Sequence, residues 1–137
     1  MKTIFGLFVF CIVISACKDV TGGQDDKLFE DVMGLHDEIM PVSTKLHGLQ
    51  SSLKTLLATP DSIPANMTKD DVIAASMHAE EAYNAMMDWM RDFKVPENMN
   101  PTEKSAYLKA EKLKLTNLKE ETLRAFNEAE AIVNFKK

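Results

Sequence analysis

Three long segments of the sequence place apolar residues three or four positions apart, and this spacing constrains the fold more than any other feature. Such spacing keeps the residues on one face of a helix, so each segment predicts an amphipathic helix with a buried seam. The seam of the first segment continues for about four heptads and comprises Leu28, Val32, Leu35, Ile39, Val42, Leu46, Leu49, Leu53 and Leu56. The second seam comprises Val72, Ala75, Ala79, Ala82, Met86, Trp89 and Phe93. The third comprises Leu108, Leu115, Leu118, Thr122, Ala125, Ala129 and Ile132, flanked by Leu113, Phe126 and Val133.

Two proline-containing loops separate these segments. Pro60 and Pro64 exclude helix from residues 59–67, and Pro96 lies in the second loop, residues 94–99. Thr68 and Asn100 are suitable N-cap residues for the helices that follow. The sequence therefore predicts helices at about 27–58, 69–93 and 101–134 in an all-α, antiparallel up-down-up three-helix bundle. A long open coiled coil that dimerises is the alternative if the two loops fail to reverse the chain.

Two residues interrupt the seams. Pro41 lies inside the first helix, where it removes one backbone hydrogen bond and predicts a kink near residues 37–41. Glu111 falls on the third seam, and we expect its long side chain to extend to solvent.

The N-terminal residues have the architecture of a secretory signal. A positive start at Lys2 precedes a short apolar run from Ile4 to Ile14, and the small residues Ser15 and Ala16 lead into Cys17. The sequence from Ile14 to Cys17 resembles the lipobox of bacterial lipoproteins, in which the signal is cut before the cysteine and the cysteine is acylated. This resemblance implies a signal peptide at residues 1–16 and a lipid on Cys17.

The residues after Cys17 are polar and contain glycine, so residues 17–26 are predicted to form a flexible tether between the lipid and a bundle at residues 27–137. The chain has a formal net charge of −5, which argues against a nucleic-acid partner and against electrostatic adhesion to anionic lipid. We therefore expect a protein that is anchored only by its lipid to the outer membrane or cell envelope, on the periplasmic face or the cell surface.

Chain reversal at the first loop brings the first and second helices side by side. In that arrangement His36 and Met40 fall level with residues 86–90, and His47 falls level with His78. Imidazole and thioether groups thus come together at one height of the bundle.

This juxtaposition supports two interpretations. Thioether sulfur and imidazole nitrogen are ligands that suit Cu(I), so His36, Met40, Met86 and Met90 are candidate ligands of a copper site. Alternatively, the methionines only fill irregular space beside Trp89, where a sulfur–aromatic contact contributes about 0.3–1.5 kcal/mol.

Zinc binding and catalysis have weaker support. His36, Asp37 and Glu38 are adjacent on a helix and cannot converge on one ion, and His47 with His78 would supply two ligands where zinc sites use three or four. The sequence contains no serine nucleophile elbow, no phosphate-binding glycine loop and no HExxH motif. We expect no catalytic residue, no cofactor and no small-molecule substrate.

The chain also resembles a known group of proteins. Together with the lipobox, the stretches "VMGLHDEIMP" and "MMDWMRDF" resemble those of small helical Bacteroidota lipoproteins, some of which are labelled "viral A-type inclusion protein". Asp61-Ser62-Ile63 resembles the O-glycosylation triplet of exported Bacteroidota proteins, which makes Ser62 a candidate acceptor. The resemblance implies an envelope location and a helical fold, and the sequence predicts a non-enzymatic binding or structural module with a protein partner.

Overall fold

The computed structural model describes residues 20–135, and this part of the chain forms three α-helices, one short 3-10 helix and no strand. The helices are α1 (Val20–Ala58), α2 (Lys69–Asp92) and α3 (Pro101–Val133), and the 3-10 helix is Pro60–Ser62. Each α-helix packs against the other two. The prediction of an all-α three-helix bundle is therefore confirmed, whereas the predicted signal peptide 1–16 and Cys17 lie outside the described residues.

Contacts between the helices establish the up-down-up order. Lys112 Nζ donates to Asp31 Oδ2 at 2.7 Å, and Lys119 forms an ion pair with Glu38. The second pair lies one heptad further along both helices, so α1 and α3 run in the same direction. Gln50 Nε2 donates to the Ala79 carbonyl at 2.9 Å near the first loop. The chain therefore reverses at both loops, which excludes the open coiled coil.

The caps explain why α2 and α3 begin where the sequence predicted. The Thr68 hydroxyl accepts from the Asp71 N–H, and the Asp71 carboxylate accepts from the Thr68 N–H. Asn100 and Glu103 form the same reciprocal pair at the start of α3, followed by a proline at the first helical position. Each pair satisfies backbone donors that a helix N-terminus otherwise leaves without partners.

The start of α1 differs from the prediction. Residues 20–26 belong to this helix, although the sequence assigned them to the flexible tether 17–26. Asp25 is buried and lines a shared groove with Pro101 and Ser105 at the start of α3. This stretch is therefore helical beside the start of α3, despite the cost of about 1 kcal/mol that a helical glycine carries. Residues 17–19 of the tether lie outside the described part.

The core follows the predicted seams and divides into two clusters. The cluster nearer the first loop consists of Leu46, Leu53, Val72, Ala75, Ala79, Ala82, Ala125, Ala129 and Ile132. The other consists of Val32, Ile39, Met86, Trp89 and Leu115. Ser43 of α1 and Thr122 of α3 lie between the clusters, fully buried, and neither hydroxyl has a hydrogen-bond partner. A polar layer thus separates two apolar halves of one bundle.

Two details of α1 and α3 depart from a simple seam. α1 continues as one helix through Pro41, which lies on the solvent side. Leu113, predicted to flank the third seam, is 63% exposed, because the buried face of α3 passes through Glu111 instead. No helix in the described part is long and apolar enough to cross a membrane.

Candidate functional site

Of the four candidate copper ligands, the structure brings His36 and Met90 into direct contact between α1 and α2, and Met40 and Met86 lie in the same part of the core. His36 Nε2 lies 3.3 Å from Met90 Sδ, so the first and second helices meet where the sequence placed them in register. Met40 and Met90 pack against the same apolar cluster to which Met86 belongs. His36 is half-buried, with a side-chain exposure of 21%, and Met86 is fully buried.

Helical spacing explains this arrangement. His36 and Met40 are four residues apart on α1, and Met86 and Met90 are four residues apart on α2, so each pair shares one face of its helix. Because the helices are antiparallel, the contact between His36 and Met90 places Met40 and Met86 opposite each other on the next turn. Three thioethers and one imidazole therefore occupy two successive levels.

The ring nitrogen of His36 that does not face Met90 contacts Asp37, and this contact fixes the orientation of the ring. Its Nδ1 lies 2.9 Å from Asp37 Oδ1, and an ionised carboxylate can only accept a hydrogen bond. Nδ1 therefore carries a proton, and Nε2 is the ring nitrogen that faces the Met90 sulfur. The ring centroid of His36 lies 5.9 Å from that of Trp89, so the indole forms one wall beside the cluster.

Trp89 also makes a polar contact on its opposite side, towards α3. Its Nε1 donates to Glu111 Oε2 at 2.9 Å, and Lys114 Nζ donates to Glu111 Oε1 at 2.6 Å. Glu111 is buried, with 5% exposure, so the expectation that it would extend to solvent is wrong. The reason is that the indole N–H offers a partner inside the bundle. The hydrogen bond to Glu111 raises the pKa of the Lys114 ammonium above its ordinary value.

An open groove between α2 and α3 begins at this contact. Its volume is about 520 Å³, and much of it is open to solvent. The charged side chains along it are four carboxylates and one ammonium, from Asp88, Asp92, Glu111, Glu121 and Lys114. Arg91, outside the groove, pairs with Asp88 and Asp92, and the region keeps a net negative charge even when Arg91 is counted.

Stacked aromatic rings form the apolar end of the groove. The ring centroids of Phe93 and Trp89 are 4.7 Å apart. Phe93 also lies 6.3 Å from Phe29 of α1 and 6.2 Å from Tyr107 of α3, measured between ring centroids. Aromatic pairs at these distances contribute about 0.5–1.5 kcal/mol beyond the burial of their area. This stack joins residues of all three helices, and two of its rings, Trp89 and Phe93, line the groove.

The remaining candidates are not assembled into a site. His47 stacks on Tyr83 with ring centroids 4.5 Å apart, and His78 Nδ1 lies 2.8 Å from Glu128 Oε2. The predicted alignment of His47 with His78 is therefore wrong by more than one helical turn. Ser62 is exposed at the end of the 3-10 helix.

Sequence reasoning missed the pairing of Trp89 with Glu111. The available signal was the position of one acidic residue on an apolar seam, in a chain with a single tryptophan. Within residues 20–135 no group of three or more His, Cys, Asp or Glu side chains is placed to hold a metal ion. Comparison with known protein families, with curated proteins and with solved structures finds no match to this chain.

Proposed function

We propose that this protein is a lipid-anchored, non-enzymatic binding module of the bacterial cell envelope. The lipid is attached at Cys17, the signal peptide comprises residues 1–16, and the bundle is held at the outer membrane or cell envelope. The support for the anchor is the sequence from Ile14 to Cys17 together with the short apolar run before it. Acylation by more than one chain would give stable attachment, since each buried methylene contributes about 0.8 kcal/mol.

The observation that carries the binding role is the groove beside Trp89. This groove of about 520 Å³ lies between α2 and α3 and is lined by the aromatic rings of Trp89 and Phe93 and by four carboxylates. The Trp89–Glu111 hydrogen bond and the aromatic stack fix its shape. A fixed groove limits the conformational freedom that binding must remove, which favours affinity for a partner in the envelope.

The anchor is tested by growing cells with an alkyne-labelled fatty acid. The wild-type chain should incorporate the label and sediment with membranes, and Cys17→Ala should lose both properties. Cys11→Ala is the matched control, because it removes the other cysteine of the chain and should leave labelling of Cys17 intact. Equal labelling of wild type and Cys17→Ala would contradict lipid attachment at Cys17.

The groove is tested by placing a photo-crosslinking amino acid at Asp88 or Asn117, both exposed in the groove, in intact cells. The expected result is one and the same protein adduct from both positions. Met77, which is exposed on α2 away from the groove lining, is the control position. Adducts that are absent at the groove, or identical at all three positions, would contradict a binding role for this surface. Protease added to whole cells distinguishes the two locations, because it digests the protein on the cell surface and not on the periplasmic face.

A further inference from the structure

We propose that His36, Met40, Met86 and Met90 form a Cu(I)-binding site between α1 and α2. The site goes beyond the binding role proposed above and does not depend on it, because it lies between a different pair of helices. Thioether and imidazole groups are soft and borderline donors, a combination that suits Cu(I) better than zinc, calcium or magnesium.

The separation of the first two donors fits a shared ion. Nitrogen and sulfur ligands bind zinc at about 2.0 and 2.3 Å, and Cu(I) is similar in size. With those bond lengths, the 3.3 Å between His36 Nε2 and Met90 Sδ corresponds to an angle of about 100° at the ion. That value is close to tetrahedral, so an ion can bind these two atoms with little movement of either helix.

The other two donors are supplied by the next turn of each helix. Met40 follows His36 and Met86 precedes Met90 by four residues, so helical spacing puts Met40 and Met86 one turn away from the observed contact. A methionine side chain has three rotatable bonds and can bring its sulfur to a nearby ion without a backbone change. The geometry supplies one nitrogen and up to three sulfur ligands.

Asp37 provides an independent indication that points to a metal. Histidine ligands of metals almost always donate their second ring N–H to a carboxylate or carbonyl, which fixes the tautomer and the ring orientation. His36 has this arrangement, with Nδ1 2.9 Å from Asp37 Oδ1. His36 Nε2 and the Met90 sulfur lie 3.3 Å apart and face each other, so both atoms are placed to bind one cation. Asp37 is thus a positioning residue and not a ligand.

The surroundings favour the reduced ion. Met86 is fully buried, and Met40 and Met90 are partly buried against the apolar cluster to which it belongs. Hydrated Cu(II) prefers nitrogen and oxygen ligands in a square-planar arrangement, which this cluster does not offer. His36 reaches the surface with one fifth of its side chain, and this edge is the route by which an ion would enter.

The test uses the full chain carrying Cys11→Ser and Cys17→Ser, in detergent, so that no thiol competes and the result is independent of lipidation. Cu(I) is delivered anaerobically with ascorbate and competed with a chromophoric Cu(I) chelator. We expect one Cu(I) per chain with a dissociation constant below micromolar. X-ray absorption of the loaded protein should show one nitrogen and two or three sulfur neighbours.

Variants separate the site from simple packing. His36→Ala combined with Met90→Leu should weaken Cu(I) binding by more than about 100-fold, because loss of an outer-shell partner alone typically costs about 10–100-fold. Asp37→Asn should weaken it about tenfold for the same reason. His78→Ala combined with Met77→Leu changes the same residue types outside the cluster and should leave binding unchanged. If the first double variant loses its helical circular dichroism, Met40→Leu with Met90→Leu conserves volume and takes its place.

Binding no tighter than micromolar, equal loss in the control variant, or an absorption spectrum with only nitrogen and oxygen neighbours would each overturn the proposal.

Discussion

The buried hydrogen bond between Trp89 and Glu111 should contribute measurably to the stability of the bundle, and a double-mutant cycle can measure its contribution. Trp89 and Glu111 are 8% and 5% exposed, and the donor and acceptor atoms are 2.9 Å apart. Hydrogen bonds to charged groups contribute about 1.5–3 kcal/mol, and a buried donor left without a partner costs about 1–3 kcal/mol. The ion pair with Lys114 adds little, about 0–1 kcal/mol, because the Lys114 side chain is 63% exposed.

We therefore expect Glu111→Ala to lower the free energy of unfolding by about 2–3 kcal/mol. Glu111→Gln, which keeps an oxygen that can accept from the indole, should cost about half as much, because it loses only the charge. Urea unfolding followed by far-ultraviolet circular dichroism measures both values. Glu120→Ala on the exposed face of α3 is the control and should change stability by less than about 0.5 kcal/mol.

The cycle adds Trp89→Phe, which removes the donor and keeps an aromatic ring in the stack. The coupling free energy between Trp89→Phe and Glu111→Ala should be about 1.5–3 kcal/mol. Burying a carboxylate also carries a desolvation cost that can exceed what its partners return. A coupling below about 0.5 kcal/mol, or a Glu111→Ala protein more stable than wild type, would refute the argument that this contact stabilises the bundle.

Two further predictions concern polar groups elsewhere in the bundle. Thr122→Val and Ser43→Ala remove hydroxyls that are fully buried without a partner, so each should raise the free energy of unfolding by about 1 kcal/mol; a loss of stability in urea would show that an internal water or a shifted rotamer satisfies them. The second concerns pH. Hydrogen bonds from the Thr68 backbone N–H and hydroxyl lower the pKa of Asp71 below its ordinary value of 3.8. This carboxylate therefore adds stability above that pH, and the contribution is lost as the pH falls through the lower, folded value. Asp71→Asn should make the fall in unfolding free energy below pH 3.8 less steep, and an unchanged slope would contradict the prediction.

The sequence predicts the helices well because caps, prolines and apolar spacing agree at each boundary. α2 and α3 begin at the predicted residues, since Thr68 and Asn100 are followed three positions later by acidic residues that complete the caps. The helix α1 begins earlier than predicted, because polar and glycine residues suggest a linker, whereas in the structure Asp25 is buried beside the beginning of α3.

Only some of the contacts between helices at the candidate site could be predicted from the sequence. The contact of His36 with Met90 follows from helical spacing and chain reversal. The contact of His47 does not, because residue spacing gives the approximate height of a side chain but not which side chain of the neighbouring helix it meets, and His47 meets Tyr83. Glu111 was misjudged for a related reason, since a buried acid depends on a partner from another helix that spacing along its own helix cannot reveal.

The position of Trp89 has a spectroscopic consequence. It is the only tryptophan of the chain. Its ring lies beside His36 on the α1 side, and its N–H is bonded to Glu111 on the α3 side. Because the emission of an indole responds to the polarity and the quenching groups around it, its intrinsic fluorescence reports on both neighbouring helix pairs at once. Ion binding between α1 and α2 and ligand binding between α2 and α3 can therefore be followed optically in the same unlabelled protein.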